Sequence, residues 1–232
     1  MCKWRLFRDL CALDIWIHYL DKTTDYPLCY DHQNIISMSI GKQSKTLTAK
    51  QIEIALSYLK DRRNGIRNCV IFLLSVKGGL RAKEISCLKW SMVLTSEVEL
   101  GDVIALENSA TKGNSGRILP INKTLKEYLI LHREQEIQSG LSDFVIQTER
   151  SGSTSAQSIV NIFARLYRDL GFDGCSSHSG RRTFITQTAR KISLVGGSLR
   201  DIQLMAGHSN LQTTQRYIEM DTTAQRRVVD LV

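Results

Sequence analysis

The amino-acid sequence predicts a mainly α-helical protein with one small antiparallel β-sheet (an α+β class), on three observations. Apolar residues recur at helical spacing over most of the chain after residue 46. Between Ser91 and Ile121 the period falls to two, so that VEL, VIAL and RILPI read as short strands. Glycines at 78–79, 140, 171, 196–197 and 207 punctuate the helical stretches where chains commonly stop or turn.

Taken in order, residues 3–20 set Phe7, Leu10, Leu13, Ile17 and Leu20 on one helical face, and 21–45, with Pro27, read as a connector. Residues 1–45 thus form an N-terminal helix and connector, and 46–232 the main domain. In TLTAKQIEIALSYLK, Thr48 and Gln51 make a capping box, Leu47 and Ile52 a hydrophobic staple, and the helix buries Ile52, Ala55, Leu56 and Leu59. NCVIFLLSV is an almost wholly apolar helix ended by Gly78-Gly79; another starts around Arg81 and runs through Glu84, Ile85 and Leu88. TKGNSG is a hairpin turn between the last two strands. Helices are expected at 123–137, 156–170, 178–191, 199–206, 211–219 and 222–231, the stretch ERSGSTSAQS (149–158) being a loop.

With 232 residues, 42% hydrophobic and 23% charged, the chain is long enough for one substantial folded domain, and disorder is not the default. The formal charge of +8 favours a polyanionic partner, nucleic acid before an anionic membrane surface. Six scattered cysteines without a CxxC pair read as reduced thiols in a cytoplasmic protein. Cys175 and His178 make a C-x-x-H without a second ligand pair, so no metal site is expected. VIFLLSV is too short to cross a bilayer, and charges interrupt residues 1–20, which excludes a signal peptide.

Several separated residues complement one another chemically. Arg81 follows a double glycine at a helix start, Lys112 sits at a hairpin tip, His178 and Arg181 share a helix face, and His208 and Tyr217 lie near the end of the chain. Two guanidiniums can bind a phosphodiester's non-bridging oxygens and neutralise transition-state charge. A phenol, with an ordinary pKa of about 10, needs a cationic neighbourhood to attack as phenolate. Lysine or histidine can protonate the departing sugar oxygen. A phosphotyrosyl ester keeps the energy of the diester, so religation to another strand needs neither metal nor ATP. Taken singly, each residue has a plainer reading: a surface pair for Arg81, a hairpin-tip charge for Lys112, core packing for the histidines and the tyrosine.

GGLRAKEI (78–85), TKGNSGRILPI (111–121), HSGRRTF (178–184) and GHSNLQTTQRY (207–217) resemble, in order and separation, the signature motifs of the tyrosine recombinases, the phage-integrase family. The resemblance covers about residues 46–232 and implies the tyrosine-recombinase catalytic-domain fold. It also implies that Arg81 and Arg181 hold the scissile phosphate, Tyr217 is the nucleophile and Lys112 the general acid. His178 would serve acid–base transfer, His208 would bond the phosphate, and Glu84 would orient its neighbours. The implied partner is double-stranded DNA, bound by a homo-tetramer that is monomeric in free solution, and the implied intermediates are a 3′-phosphotyrosine link and a Holliday junction. No cofactor and no membrane are implied, and the setting is a mobile element in a prokaryotic cytoplasm. Gly180 and Arg182 depart from the commoner residues of their motif, and residues 1–45 are too few for the helical core-binding domain that usually precedes this one. Two other readings stay open: a type IB-like topoisomerase, and a DNA-binding regulator without turnover. The tail 221–232, with Val228, Val229 and Leu231 after an Asp221 cap, docks either on a neighbouring subunit or on its own domain.

Overall fold

The computed structural model describes residues 43–110, 116–139, 143–148, 151–217 and 229. The chain divides into two units, Met1–Gln43 and Ser44–Val232, and the fold set out below is that of the second. The expected helix at 3–20, nearly all of its connector, residues 111–115 with Lys112, and the tail 221–232 except Val229 lie outside the described residues.

The first helix, α1 (Ala49–Lys60), starts as the capping box requires. The Thr48 hydroxyl accepts from the Gln51 amide at 3.2 Å, and the Gln51 side chain accepts from the Thr48 amide at 2.9 Å. Leu47 is buried, and its amide donates to the Thr183 hydroxyl at 2.7 Å, which ties the helix entry to a distant segment. Helix α2 (Gly65–Val76) is buried from Cys69 to Val76 without a solvent face. A helix apolar all round has to sit at the centre of its fold, and α2 packs against α1 and against four further helices: α3 (Ala82–Ser86), α4 (Lys123–Ser139), α5 (Ala156–Asp169) and α6 (Ser179–Lys191). Each fully buried Leu or Phe along it is worth roughly 1.5–3 kcal/mol. Helix α5 buries Ile159, Phe163, Leu166 and Tyr167, the i, i+4, i+7, i+8 stripe of an amphipathic helix.

The sheet has two strands, β1 (Val103–Leu106) and β2 (Arg117–Pro120), antiparallel with Ile104 opposite Leu119 and Leu106 opposite Arg117. VEL does not form the third strand that its alternation suggests. Val98 sits at φ +63° and its amide bonds back to Thr95 O at 3.0 Å, so the chain reverses there and leaves only an isolated bridge between Leu94 and Leu100. A second correction concerns the helix after the double glycine. It ends at Ser86, and Leu88 O accepts from the Val145 amide at 2.8 Å, beside a bridge pairing Lys89 with Phe144. The connection between the strands is also longer than a tight hairpin, since Asn108–Ala110 form a 3-10 turn.

The C-terminal third builds a second, smaller apolar cluster. Helices α7 (Leu199–Ala206) and α8 (Leu211–Gln215) pack together, and α7 also packs on α6 and β2. Ile185, Ile202 and Ala206 are its buried centre, with Phe184, Met205 and Tyr217 against them. Helix α8 stops at Gln215, short of the expected 219, and Arg216 and Tyr217 continue as a turn.

Candidate active site

Where α2 ends, Gly79 adopts φ +66° against the Phe184 ring, which leaves no room for a side chain there. The chain then enters α3 through Arg81. The Arg81 amide and guanidinium both donate to the Glu84 carboxylate, each at 2.8 Å. Glu84 is 1% exposed, and a carboxylate so buried needs partners of opposite charge. Arg117 at the start of β2 is the second, donating through Nη1 to Oε1 and Nη2 to Oε2 at 2.9 Å each, while its Nε donates to Met205 O at 2.8 Å. Burial alone would raise the Glu84 pKa; the hydrogen bonds and charge of Arg117, then of Arg81, outweigh it and hold the group down to about 2.

Arg181, in the first turn of α6, is 3% exposed. Its Nη1 donates to Gly79 O at 2.6 Å, and its Nη2 donates to Ala206 O and to His208 Nε2, the latter at 3.1 Å. Burial, with repulsion from Arg81 and Arg117, lowers its pKa to about 10, which leaves it charged at neutral pH. The preceding Gly180 departs from its motif for a steric reason: it lies against Ser75 of α2, where an added Cβ would strike the serine side chain.

His208 follows the C-terminus of α7, which Gly207 ends at φ +61° with the Arg117 guanidinium 2.9 Å from where a Cβ would stand. The imidazole is clamped at both nitrogens, Nε2 by Arg181 and Nδ1 by the Thr214 hydroxyl at 3.0 Å. Burial first, then Arg181, Arg81 and Arg117, depress its pKa to about 4, so the ring is neutral at pH 7. Its ring stacks on Tyr217 with centroids 5.5 Å apart and planes 19° from parallel. The backbone holds Tyr217 twice: its amide donates to Thr214 O at 3.0 Å, and its carbonyl accepts from the Thr186 hydroxyl of α6 at 3.0 Å.

A cleft of about 740 Å³ opens over this network, lined among others by Arg81, Arg117, Gly207, His208 and Thr213. Three guanidiniums share one carboxylate here, so the cleft is cationic and suited to an anion. Of the residues singled out in the sequence, Arg81, Glu84, Arg181, His208 and Tyr217 come together. His178 is exposed at the start of α6, one turn from Arg181, and joins no part of the hydrogen-bonded network among the described residues. Lys112 lies outside them. Arg117, Thr214 and Thr186 were not singled out. For Arg117 a signal existed: strand alternation puts it on the same side as buried Leu119, and a charge facing inward needs a partner. Among the described residues, no three His, Cys, Asp or Glu side chains are grouped to hold a metal ion, and no helix is long and apolar enough to cross a membrane.

Residues 45–223 match the phage integrase family, and the chain belongs to that family of tyrosine recombinases. It is 28% identical over 195 residues to the tyrosine recombinase XerD of Rickettsia prowazekii, covering 79% of this chain and 61% of that protein. It is 27% identical over 186 residues to the tyrosine recombinase XerA of Thermococcus kodakarensis, with coverage of 79% and 61%. The chain thus spans about three fifths of the length of these curated relatives. Among solved structures it resembles XerA recombinase, with a TM-score of 0.65, 21% identity, and coverage of 84% of this chain and 68% of that one. It also resembles the Tn1549 transposon integrase in complex with a circular intermediate DNA, with a TM-score of 0.66, 18% identity, and coverage of 97% and 77%. At such identities the structural likeness bears on the fold alone.

Proposed function

We propose that this chain carries the catalytic part of a site-specific DNA recombinase, cutting and rejoining strands through a 3′-phosphotyrosine at Tyr217. One observation carries the reading: Arg81, Arg181, His208 and Tyr217, from three separate stretches of sequence, come together beside one cationic cleft. Arg81 and Arg181 take the non-bridging oxygens of a phosphodiester and offset the charge that grows on them. Tyr217 loses its phenolic proton to solvent in the cleft and its oxygen attacks phosphorus as the phenolate; the P–O bond to tyrosine forms as the P–O5′ bond breaks, and the 5′ oxygen takes a proton from Lys112. His178 assists proton transfer, and Glu84 fixes Arg81. Rejoining is the reverse attack by a 5′ hydroxyl, so bond energy is conserved and no metal or nucleotide is consumed. The DNA-bound Tn1549 integrase of the same fold supports double-stranded DNA as partner. Assembly as a tetramer on that DNA belongs to the same proposal.

The test is to incubate the protein with a pool of nicked, randomised duplexes and recover covalent adducts under denaturing conditions. Wild type is expected to trap a subset of sequences through their 3′ ends, and Tyr217→Phe none. Retention of duplex without any adduct would instead mark a DNA-binding regulator, and relaxation of supercoils without recombinant products a topoisomerase.

A further inference from the structure

The hydrogen bonds around His208 fix where its proton sits. An arginine can only donate, so His208 Nε2, 3.1 Å from Arg181 Nη2, is an acceptor. The ring is neutral, so its one proton is on Nδ1 and is donated to Thr214 Oγ1 at 3.0 Å. This is the wrong form for the cleft the residue lines. A phosphoryl oxygen has only lone pairs, and a bare Nε2 facing it would repel it. A protein that needed His208 fixed in its present form would put a carbonyl or carboxylate at Nδ1, since either can only accept. The residue there is a threonine with 0% exposure, whose hydroxyl accepts or donates equally well.

We propose that Thr214 is a positioning residue that lets His208 change from acceptor to donor at the cleft, its hydroxyl reversing direction as the imidazole proton moves from Nδ1 to Nε2 when a phosphoryl oxygen enters. No proton is gained or lost overall: one leaves Nδ1 to solvent in the cleft, one arrives at Nε2, and the threonine O–H turns to donate into Nδ1. The exchange replaces one internal hydrogen bond by two donors aimed at the anion, Nε2–H and the released Arg181 Nη2–H. Thr214 O also accepts from the Tyr217 amide at 3.0 Å, so the same residue anchors the chain that bears the tyrosine. The exchange rests on the reading of the cleft as a phosphodiester site, and its test avoids DNA cleavage.

Long-range proton–nitrogen spectra of the 15N-labelled full chain, assigned with His208→Gln, report which ring nitrogen is protonated. At pH 7 the free protein is expected to show Nδ1 protonated, and inorganic phosphate to move the proton to Nε2. Tyr217→Phe is expected to do the same, so absence of strand cleavage leaves this result intact. Thr214→Ser should exchange as wild type does. Thr214→Val should hold one form throughout and bind phosphate about 3- to 10-fold more weakly, the value of one hydrogen bond. Protonation of Nε2 in the free protein, protonation of both nitrogens with phosphate, resonances that phosphate leaves unmoved, or a valine variant that exchanges normally would each overturn the assignment. Should the valine variant not fold, the wild-type and serine spectra decide it.

Discussion

Arg117 and Glu84 face each other fork to fork, Nη1 to Oε1 and Nη2 to Oε2, each at 2.9 Å, with the carboxylate 1% exposed. Both of the carboxylate oxygens and three of the arginine's nitrogens are engaged, counting Nε on Met205 O. The pair joins β2 to α3 and to the end of α7, and it sets the face of the cleft from which Arg81 projects.

Arg117→Ala is therefore expected to cost about 3 kcal/mol of unfolding free energy, the scale for stranding a buried charge, softened because Arg81 still bonds Glu84. Arg117→Lys keeps the charge but loses the planar fork and should recover only part of that loss. Urea unfolding of both variants against wild type measures it. An alanine variant within 0.5 kcal/mol of wild type, roughly the range of ordinary surface changes, would show that the fork contributes nothing.

The same carboxylate sets a pH dependence. Its pKa falls from an ordinary 4.5 to about 2 in the folded chain. A depressed carboxylate favours folding when ionised, so its contribution is full above about pH 4.5 and is lost as pH falls through about 2. The shift corresponds to about 3 kcal/mol. Unfolding free energy followed from pH 6 to pH 2 should decline for wild type, and Glu84→Gln should flatten that decline while lowering stability at pH 6. Parallel curves for the two proteins would locate the acid sensitivity elsewhere.

The helices and the residues of the network differ in how far they could be read from sequence. Periodicity and caps sufficed for α1, α2 and α5, because a stripe such as Ile159–Phe163–Leu166 leaves a helix one way to bury itself. Alternation misled at VEL, because Val98 turns the chain through a left-handed conformation that a β-branched residue rarely adopts. Motif order brought out Arg81, Arg181, His208 and Tyr217, side chains with chemistry of their own. Thr214 and Thr186 were invisible, since a hydroxyl that orients another group is known only once the fold brings the two together.

His208 is expected to titrate near pH 4, far below an ordinary imidazole. Burial is the largest cause, followed by the charges of Arg181, Arg81 and Arg117, with Glu84 opposing. Its neutral form favours folding, so that contribution is present above the ordinary 6.5 and is lost as pH falls through about 4. Arg81→Ala removes one of the repulsive charges at a partly exposed position and should raise the midpoint, whereas Glu84→Gln should lower it further. Histidine proton resonances followed across the acid range read both shifts, and a midpoint indifferent to Arg81 would mean that the two residues are not electrostatically linked.

Gly180 tests how tightly α6 is seated. A Cβ on this residue would crowd Ser75 Oγ, would lie 2.9 Å from Ser75 Cβ and 3.2 Å from its carbonyl carbon, and the central helix cannot give way because α2 is packed on several sides. Gly180→Ala should push the start of α6 outward at a cost of about 1–3 kcal/mol. Arg181 is the next residue, so the displacement draws its guanidinium away from Gly79 O and Ala206 O. Ser75→Gly clears the space at about 1 kcal/mol, the cost of glycine within a helix. In the double variant the two losses should not add: unfolding measurements should give a favourable coupling of about 1 kcal/mol or more. Simple additivity would mean that α6 accommodates the methyl group by moving elsewhere, and that Gly180 stands in its motif for a reason other than Ser75.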